Sequence, residues 1–177
     1  MAELEMRESM REKFERLVHP TPMFKVYEQT PQKNMAVARY LMEGYLNLPD
    51  EHRNYDIIYT MLNRYFNGGA LIYEMGELNG LLGFTEIIPT HKISVFMKLF
   101  DNSIWGKTVV REALQVLSMV SDALNIKRMS TKSADPKVVK MCEKLFGFKI
   151  EGVRPLDFSW DGKLYDNYLL GRIRKEE

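Results

Sequence analysis

The sequence predicts an α/β fold: a central mixed β-sheet flanked by helices, with an extra amphipathic helix at the N-terminus. Three observations carry that expectation. Residues 93–124 change period midway. Ile93, Val95, Met97 and Leu99 alternate with their neighbours as a buried strand does, and from Val109 the apolar positions Ala113, Val116, Leu117, Val120 and Leu124 follow helical spacing. Strand-like and helix-like stretches succeed one another along the whole chain. Residues 149–160 and 164–172 read as two long strands joined by Asp161-Gly162, a hairpin turn pair.

The elements follow in order. Residues 1–18 carry Met6, Met10, Phe14 and Leu17 at helical spacing, with Glu3, Glu5 and Glu8 early and Arg16 late, as a helix dipole favours. This amphipathic helix forms a unit apart from residues 19–177, and its stripe packs on that domain or meets a partner, a second copy included. Pro20 and Pro22 end it. Residues 23–28 alternate as a first strand. Residues 31–46 read as a helix, with Thr30 as N-cap, Pro31 at the first position and a core stripe of Met35, Ala38, Leu41, Met42 and Tyr45. Residues 49–66 read as a second helix, with Tyr55, Ile58, Tyr59, Leu62 and Phe66 on one face and Asn67-Gly68-Gly69 as its stop. Residues 70–75 and 81–88 form a hairpin around Gly76 and Gly80. The central strand and helix come next, then a short strand at 128–132. A helix follows at 136–146, started by Asp135 and Pro136 and stopped by Gly147.

Composition bounds the function. A chain of 177 residues with 45% hydrophobic and 28% charged residues suits one domain with a real core. Lys plus Arg number 25 and Asp plus Glu 24, a net charge of +1, which argues against nucleic-acid binding through phosphates. Cys142 is the only cysteine, so no intramolecular disulfide can form and a cytoplasmic setting is expected. No apolar run is long enough to span a membrane, and the charged N-terminus shows no signal-peptide core. No Cys/His cluster has metal-binding spacing, so no metal is expected. Neither a complete phosphate loop nor a nucleophile elbow is present. The turn before the central helix is the stretch suited to a ligand. Free N–H groups and the positive dipole end would receive an anion such as a pyrophosphate, and Gly106 would permit close approach.

From Glu143 the chain reads EKLFGFKIEGVRPLDFSWDGKLYDNYLLGRIRKE. The spacing of Gly147-Phe148, Glu151-Gly152, Asp161-Gly162 and Asp166 resembles the GNAT superfamily of acyl-CoA-dependent N-acyltransferases, in the branch of ribosomal-protein and aminoglycoside acetyltransferases. The resemblance covers residues 23–174. It implies a GNAT-like sheet and an acetyl-CoA co-substrate whose acyl group is attacked directly by a primary amine of a protein or small molecule. Its cofactor turn would fall on Trp105, Gly106, Lys107, Thr108, Val109, Val110 and Arg111. Trp105 stands where the family has a polar residue, and Thr108 and Val110 stand where it has small ones. Lys107 and Arg111 would add charge to the phosphate site. The backbone of Phe96, Met97, Lys98 and Leu99 would pair with the pantetheine arm, in a slot opened against residues 128–132. The family's acid, a tyrosine ahead of Gly-Phe, falls on Cys142 or, one residue shifted, on Met141, with Ser133 in reach of the site. Glu86 is the first choice for the base that frees the amine, and His91 the second. The competing expectation is a binding or structural protein on the same fold, carried by a mobile element, whose acyl-CoA site has decayed. A homodimer fits either reading.

Overall fold

The computed structural model describes Leu17 and residues 20–174. Its elements are β1 (Phe24–Val26), α1 (Pro31–Glu43), a 3-10 turn (Asp50–His52), α2 (Tyr55–Asn67), β2 (Leu71–Met75), β3 (Gly80–Ile88) and β4 (Lys92–Leu99). A second 3-10 turn (Asn102–Ile104) leads to α3 (Lys107–Ala123), β5 (Arg128–Ser133), α4 (Pro136–Phe146), β6 (Lys149–Trp160) and β7 (Lys163–Ile173). Seven strands form one sheet in the order β1-β2-β3-β4-β5-β7-β6. Every neighbouring pair is antiparallel except β4 and β5, which run parallel. The mixed sheet with β4 at its centre is the predicted fold class.

Two apolar layers sandwich the sheet. On one face α3 lays down Val109, Ala113, Val116, Leu117 and Val120, all buried, against Tyr73, Phe84, Ile93 and Val95 of the strands, and α4 adds Val139, Cys142 and Phe146. Each buried Val, Leu, Ile or Phe contributes about 1.5–3 kcal/mol by leaving water. On the other face α1 and α2 bury Val37, Ala38, Leu41, Ile58 and Leu62 over Ile72 and Leu81. The predicted stripe of α1 is rotated: Met35 is 58% and Tyr45 56% exposed, while Asn34 and Val37 are buried. The Tyr27 hydroxyl donates to Asn34 Oδ1 at 2.9 Å, so a polar residue takes the inward position. On α2 the apolar seam is Ile58 and Leu62, with Tyr55 and Tyr59 turned outward. The helix also starts later than predicted, because the Asn54 side chain caps Asp56 and Ile57 and a separate 3-10 turn occupies Asp50–His52.

The helix ends follow local chemistry. Thr30 caps α1 and Asp135 caps α4, each with proline in the first turn. Gly147 closes α4 at φ +70°, a left-handed conformation that favours glycine. The predicted N-terminal helix lies outside the described residues except for Leu17, which is buried and whose carbonyl accepts the Tyr73 hydroxyl at 2.8 Å.

Candidate active site

The site begins with a parting of two strands. β4 pairs with β5 through Lys92↔Arg128, Ile93↔Met129 and Ser94↔Ser130, and there the pairing stops. β4 runs on to Leu99, paired with β3, and β5 runs on to Ser133, paired with β7. Beyond Ser94 the two parallel strands therefore enclose a wedge. A cavity of about 1040 Å³ fills it. Val95 to Phe100 line one wall, and Thr131, Lys132 and Ser133 the other. Tyr40, Tyr45 and Asn47 meet it from the α1–α2 face, and Ala113, Leu117, Met141 and Cys142 from the α3–α4 face, so the wedge opens on both faces of the sheet. Phe96 lies across Gly83 of β3, and its ring fills the space a Cβ there would take.

The wedge runs into the start of α3. A second cavity, about 740 Å³, is lined by Trp105, Gly106, Lys107, Val110, Arg111 and Leu114, and shares Trp105 and Leu145 with the first. The other three helices are capped by Thr30, Asn54 and Asp135, whereas no side chain caps α3. Its first intrahelical bond comes from Val110 N–H to Gly106 C=O, so the amides of Lys107, Thr108 and Val109 precede the ladder. Gly106 is extended at φ −178°, and a Cβ there would meet nothing within 4 Å. The glycine therefore answers neither a backbone nor a packing requirement of the fold. Thr108 is exposed and Val110 half-buried, so neither side chain closes the helix start.

The titratable groups differ sharply in setting. Lys98 Nζ donates to Asn47 C=O at 3.0 Å and contacts Asn47 Oδ1 at 3.4 Å. Burial pushes its pKa down to about 8, opposed by the Asp135 carboxylate. Cys142 is buried against the α3 layer, and burial first, then Glu143, pushes its thiol up to about 11. It is a thiol at neutral pH, able to donate a proton and not poised as a nucleophile. Ser133 Oγ accepts the Asp135 N–H at 3.1 Å.

Glu86 and His91 do not reach this wedge, contrary to the expectation for a base. A register shift in β3 between Thr85 and Ile88 puts Glu86 at φ +50°, exposed, with its carboxylate accepting the Ser94 hydroxyl at 2.6 Å. That locates it at the closed end of the wedge, outside the lining of either cavity. His91 is exposed in the β3–β4 turn, where its carbonyl accepts Lys127 and Arg128 N–H. Phe96 to Leu99 and Trp105, Gly106, Lys107, Val110 and Arg111, singled out in the sequence, line the two cavities. The Lys98 side chain, Asn47 and Tyr45 were missed as a group, because their meeting depends on the turn after α1 and carries no local signal.

The α1–α2 connection is tied across the sheet end. Asp50 Oδ1 and Oδ2 accept the N–H groups of Asp161 and Gly162 at 2.9 and 3.0 Å, and Ser159 Oγ donates to Glu51 at 2.7 Å. These bonds hold the connection that carries Asn47 beside the β6–β7 turn. Among the described residues no group of His, Cys, Asp and Glu could hold a metal ion, and no helix is long and apolar enough to cross a membrane.

No protein-family model matches the sequence, and no curated protein matches it significantly. Solved structures do match the fold. The spermidine N-acetyltransferase of Vibrio cholerae, solved with CoA and spermine, superposes with a TM-score of 0.67 at 15% identity, over 86% of this chain and 96% of its own. A Salmonella typhimurium acetyl transferase that modifies the N-terminal serine of 50S ribosomal subunit protein L7/L12 gives 0.65 at 17% identity, over 89% and 99%. RimL, a ribosomal L7/L12 alpha-N-protein acetyltransferase solved with coenzyme A, gives 0.64 at 17% identity, over 88% and 97%. With its seven-stranded mixed sheet, its β4–β5 wedge and this set of neighbours, the chain has the fold of the GNAT N-acetyltransferases.

Proposed function

We propose that the protein is an acetyl-CoA-dependent N-acyltransferase acting on a primary amine. The observation that carries this reading is the wedge between β4 and β5, which is continuous with the uncapped start of α3. Backbone N–H and C=O groups of Phe96, Met97, Lys98 and Leu99 on the β5 side have lost their strand partner, and an extended amide chain such as a pantetheine arm can take its place. The amides of Lys107 to Val109 would receive the pyrophosphate, with Lys107 and Arg111 supplying charge beside it. Trp105 lines both cavities and would lie along the arm between them.

This arrangement brings the thioester to the sheet from the α3–α4 face, and an amine can approach it from the α1–α2 face. The amine nitrogen attacks the thioester carbonyl, the C–N bond forms, the C–S bond breaks, and coenzyme A leaves as its thiol. Holding both reactants in one wedge supplies most of the rate gain, through orientation. An amide N–H of β4 would polarise the carbonyl. Cys142, a thiol that lines the wedge, would pass a proton to the departing sulfur and take back the one that the new amide nitrogen loses. A thiol with a pKa near 8.5 needs only modest help in leaving at neutral pH. The neighbours act on a polyamine or a protein N-terminus, and both present a primary amine.

Melting the protein with and without acetyl-CoA tests the reading. A ligand at 100 times its Kd adds about 2.7 kcal/mol, and thiol release with amine acceptors then reads the transfer. Unchanged melting at millimolar acetyl-CoA would overturn it.

A further inference from the structure

Resting on the acyltransferase reading, the geometry points to Lys98 Nζ as the group that takes the proton from the incoming ammonium. Lys98 stands opposite Leu81 of β3, a residue of the α1–α2 layer, so its side chain lies on the face from which the amine would approach. It lines the wedge within the open part of β4. The other titratable groups around it are paired, exposed or on the opposite face. Asp135 on α4 accepts the Lys137 N–H at 2.8 Å. Glu43 at the end of α1 is exposed and paired with Arg39 at 2.9 Å. Tyr40 and Tyr45 are exposed phenols, and Lys132 of β5 and Lys137, Lys140 and Lys144 of α4 are exposed amines. Cys142 belongs to the opposite face.

The bonding around Nζ suits a proton acceptor. Of its four tetrahedral positions, Cε takes one, and the Asn47 carbonyl and side-chain oxygen receive two N–H bonds. A neutral amine keeps both of those bonds and has its lone pair in the fourth position. Among the described residues no carboxylate lies within ion-pair distance of Nζ, so no partner fixes the charged form. Burial lowers the pKa to about 8, Asp135 raising it only in part, so roughly a fifth is neutral near physiological pH.

The step balances. The substrate ammonium gives one proton to Lys98 Nζ and becomes a free amine. The amine attacks the thioester carbon, and as the C–S bond breaks a second nitrogen proton passes to the sulfur by way of the Cys142 thiol, which is restored. Lys98 ammonium returns its proton to solvent after release.

The test is a pH–rate profile from pH 6 to 10 for wild type, Lys98→Arg and Lys98→Met, with acetyl-CoA and either an unblocked peptide or a polyamine as acceptor. Arginine keeps the charge and the donors to Asn47 but does not deprotonate. The expected result is a kcat at least tenfold lower for both variants at pH 7.5, a KM for acetyl-CoA within twofold of wild type, and loss of the wild-type limb near pH 8. A structural anchor alone would be rescued by arginine, so a Lys98→Arg enzyme with wild-type kcat and the same limb overturns the assignment. Should the variants fail to fold, trace acetylation of wild type with acetic anhydride, read by mass spectrometry, gives the Lys98 titration directly. A midpoint near 8 supports the assignment and one near 10.4 overturns it. A wild type that turns over no amine overturns the acyltransferase reading instead, an outcome distinct from an active wild type with an unimpaired Lys98→Arg.

Discussion

The two halves of β4 differ in what they bond to. Lys92 and Ser94 are paired on both sides, with β3 and with β5, and Ile93 between them, paired with β5, is only 1% exposed. From Val95 to Leu99 it keeps β3 alone, and every residue lines the wedge. Ile93 in the first half and Val95 in the second are alike β-branched and buried, so residue type does not by itself separate scaffold from site. What separates them is the departure of β5 after Ser130, which leaves a row of backbone donors and acceptors that need another partner. A site made this way is built from the main chain and tolerates side-chain change. That explains how Trp105, Thr108 and Val110 can depart from the family pattern while the helix start they surround stays uncapped.

Truncation at the two halves gives the largest contrast. Ile93→Ala empties a buried position in the doubly bonded half and should cost about 3 kcal/mol, as large-to-small core changes do. For a chain of this size that lowers the Tm by roughly 6–12 °C. Met97→Ala removes a half-buried side chain from the open half and should cost less than half as much in stability while weakening acetyl-CoA binding. Calorimetric melts of the two variants, with and without acetyl-CoA, check this. Equal destabilisation, with no loss of ligand stabilisation in Met97→Ala, would erase the distinction between the halves.

A middle-sized effect belongs at the far end of the wedge. Because Gly106 is extended and unobstructed, Gly106→Val should fold, at a helix-start cost of up to about 1 kcal/mol. Its bulk would stand over the Lys107 to Val109 amides, and acetyl-CoA affinity should fall about tenfold, or about 1.4 kcal/mol. Titration calorimetry reads it directly. An unchanged Kd would move the phosphates elsewhere and leave the open half of β4 without its anchor.

The legible parts of the molecule are those where a local signal and the long-range structure agree. α4 spans the predicted residues because Asp135-Pro136 starts it and Gly147 stops it, and the Asp161-Gly162 turn, with both residues at positive φ, fixes the register of the last hairpin. The stripe of α3 was readable from Val109 to Val120 for the same reason. The stripe of α1 was not, because Asn34 faces inward to meet Tyr27, a contact no hydrophobic pattern announces. Glu86 was chosen from the place of the third strand in the resemblance, and the bulge between Thr85 and Ile88, which no glycine marks, turns its carboxylate to Ser94. Lys98 was read only as backbone in the cofactor segment. Its side chain acquires meaning from Asn47, on a turn at the far side of α1.

The smallest effect concerns what holds that turn in place. The Asp50 carboxylate bonds Gly162 and Asp161 N–H, with Arg53 Nη1 at 3.3 Å, and these partners, Gly162 first, hold its pKa below the ordinary carboxylate range. A group with a depressed folded pKa contributes stability above its unfolded value, near 3.9, and loses that contribution as pH falls through the folded one. Asp50→Ala should therefore melt a few degrees below wild type at pH 7, with the gap closing as pH drops below about 4. The side chain is accessible to solvent, so the gap should be modest. Asp50 lies in the α1–α2 connection, on the side proposed for the acceptor, so the Kd for acetyl-CoA should hold while the KM for the amine rises. That split distinguishes a support of the open half from a general weakening of the sheet. A melting gap constant from pH 7 to pH 3.5, or an acetyl-CoA affinity that falls together with amine binding, would show that the tie between Asp50 and the β6–β7 turn does not shape the amine side of the wedge.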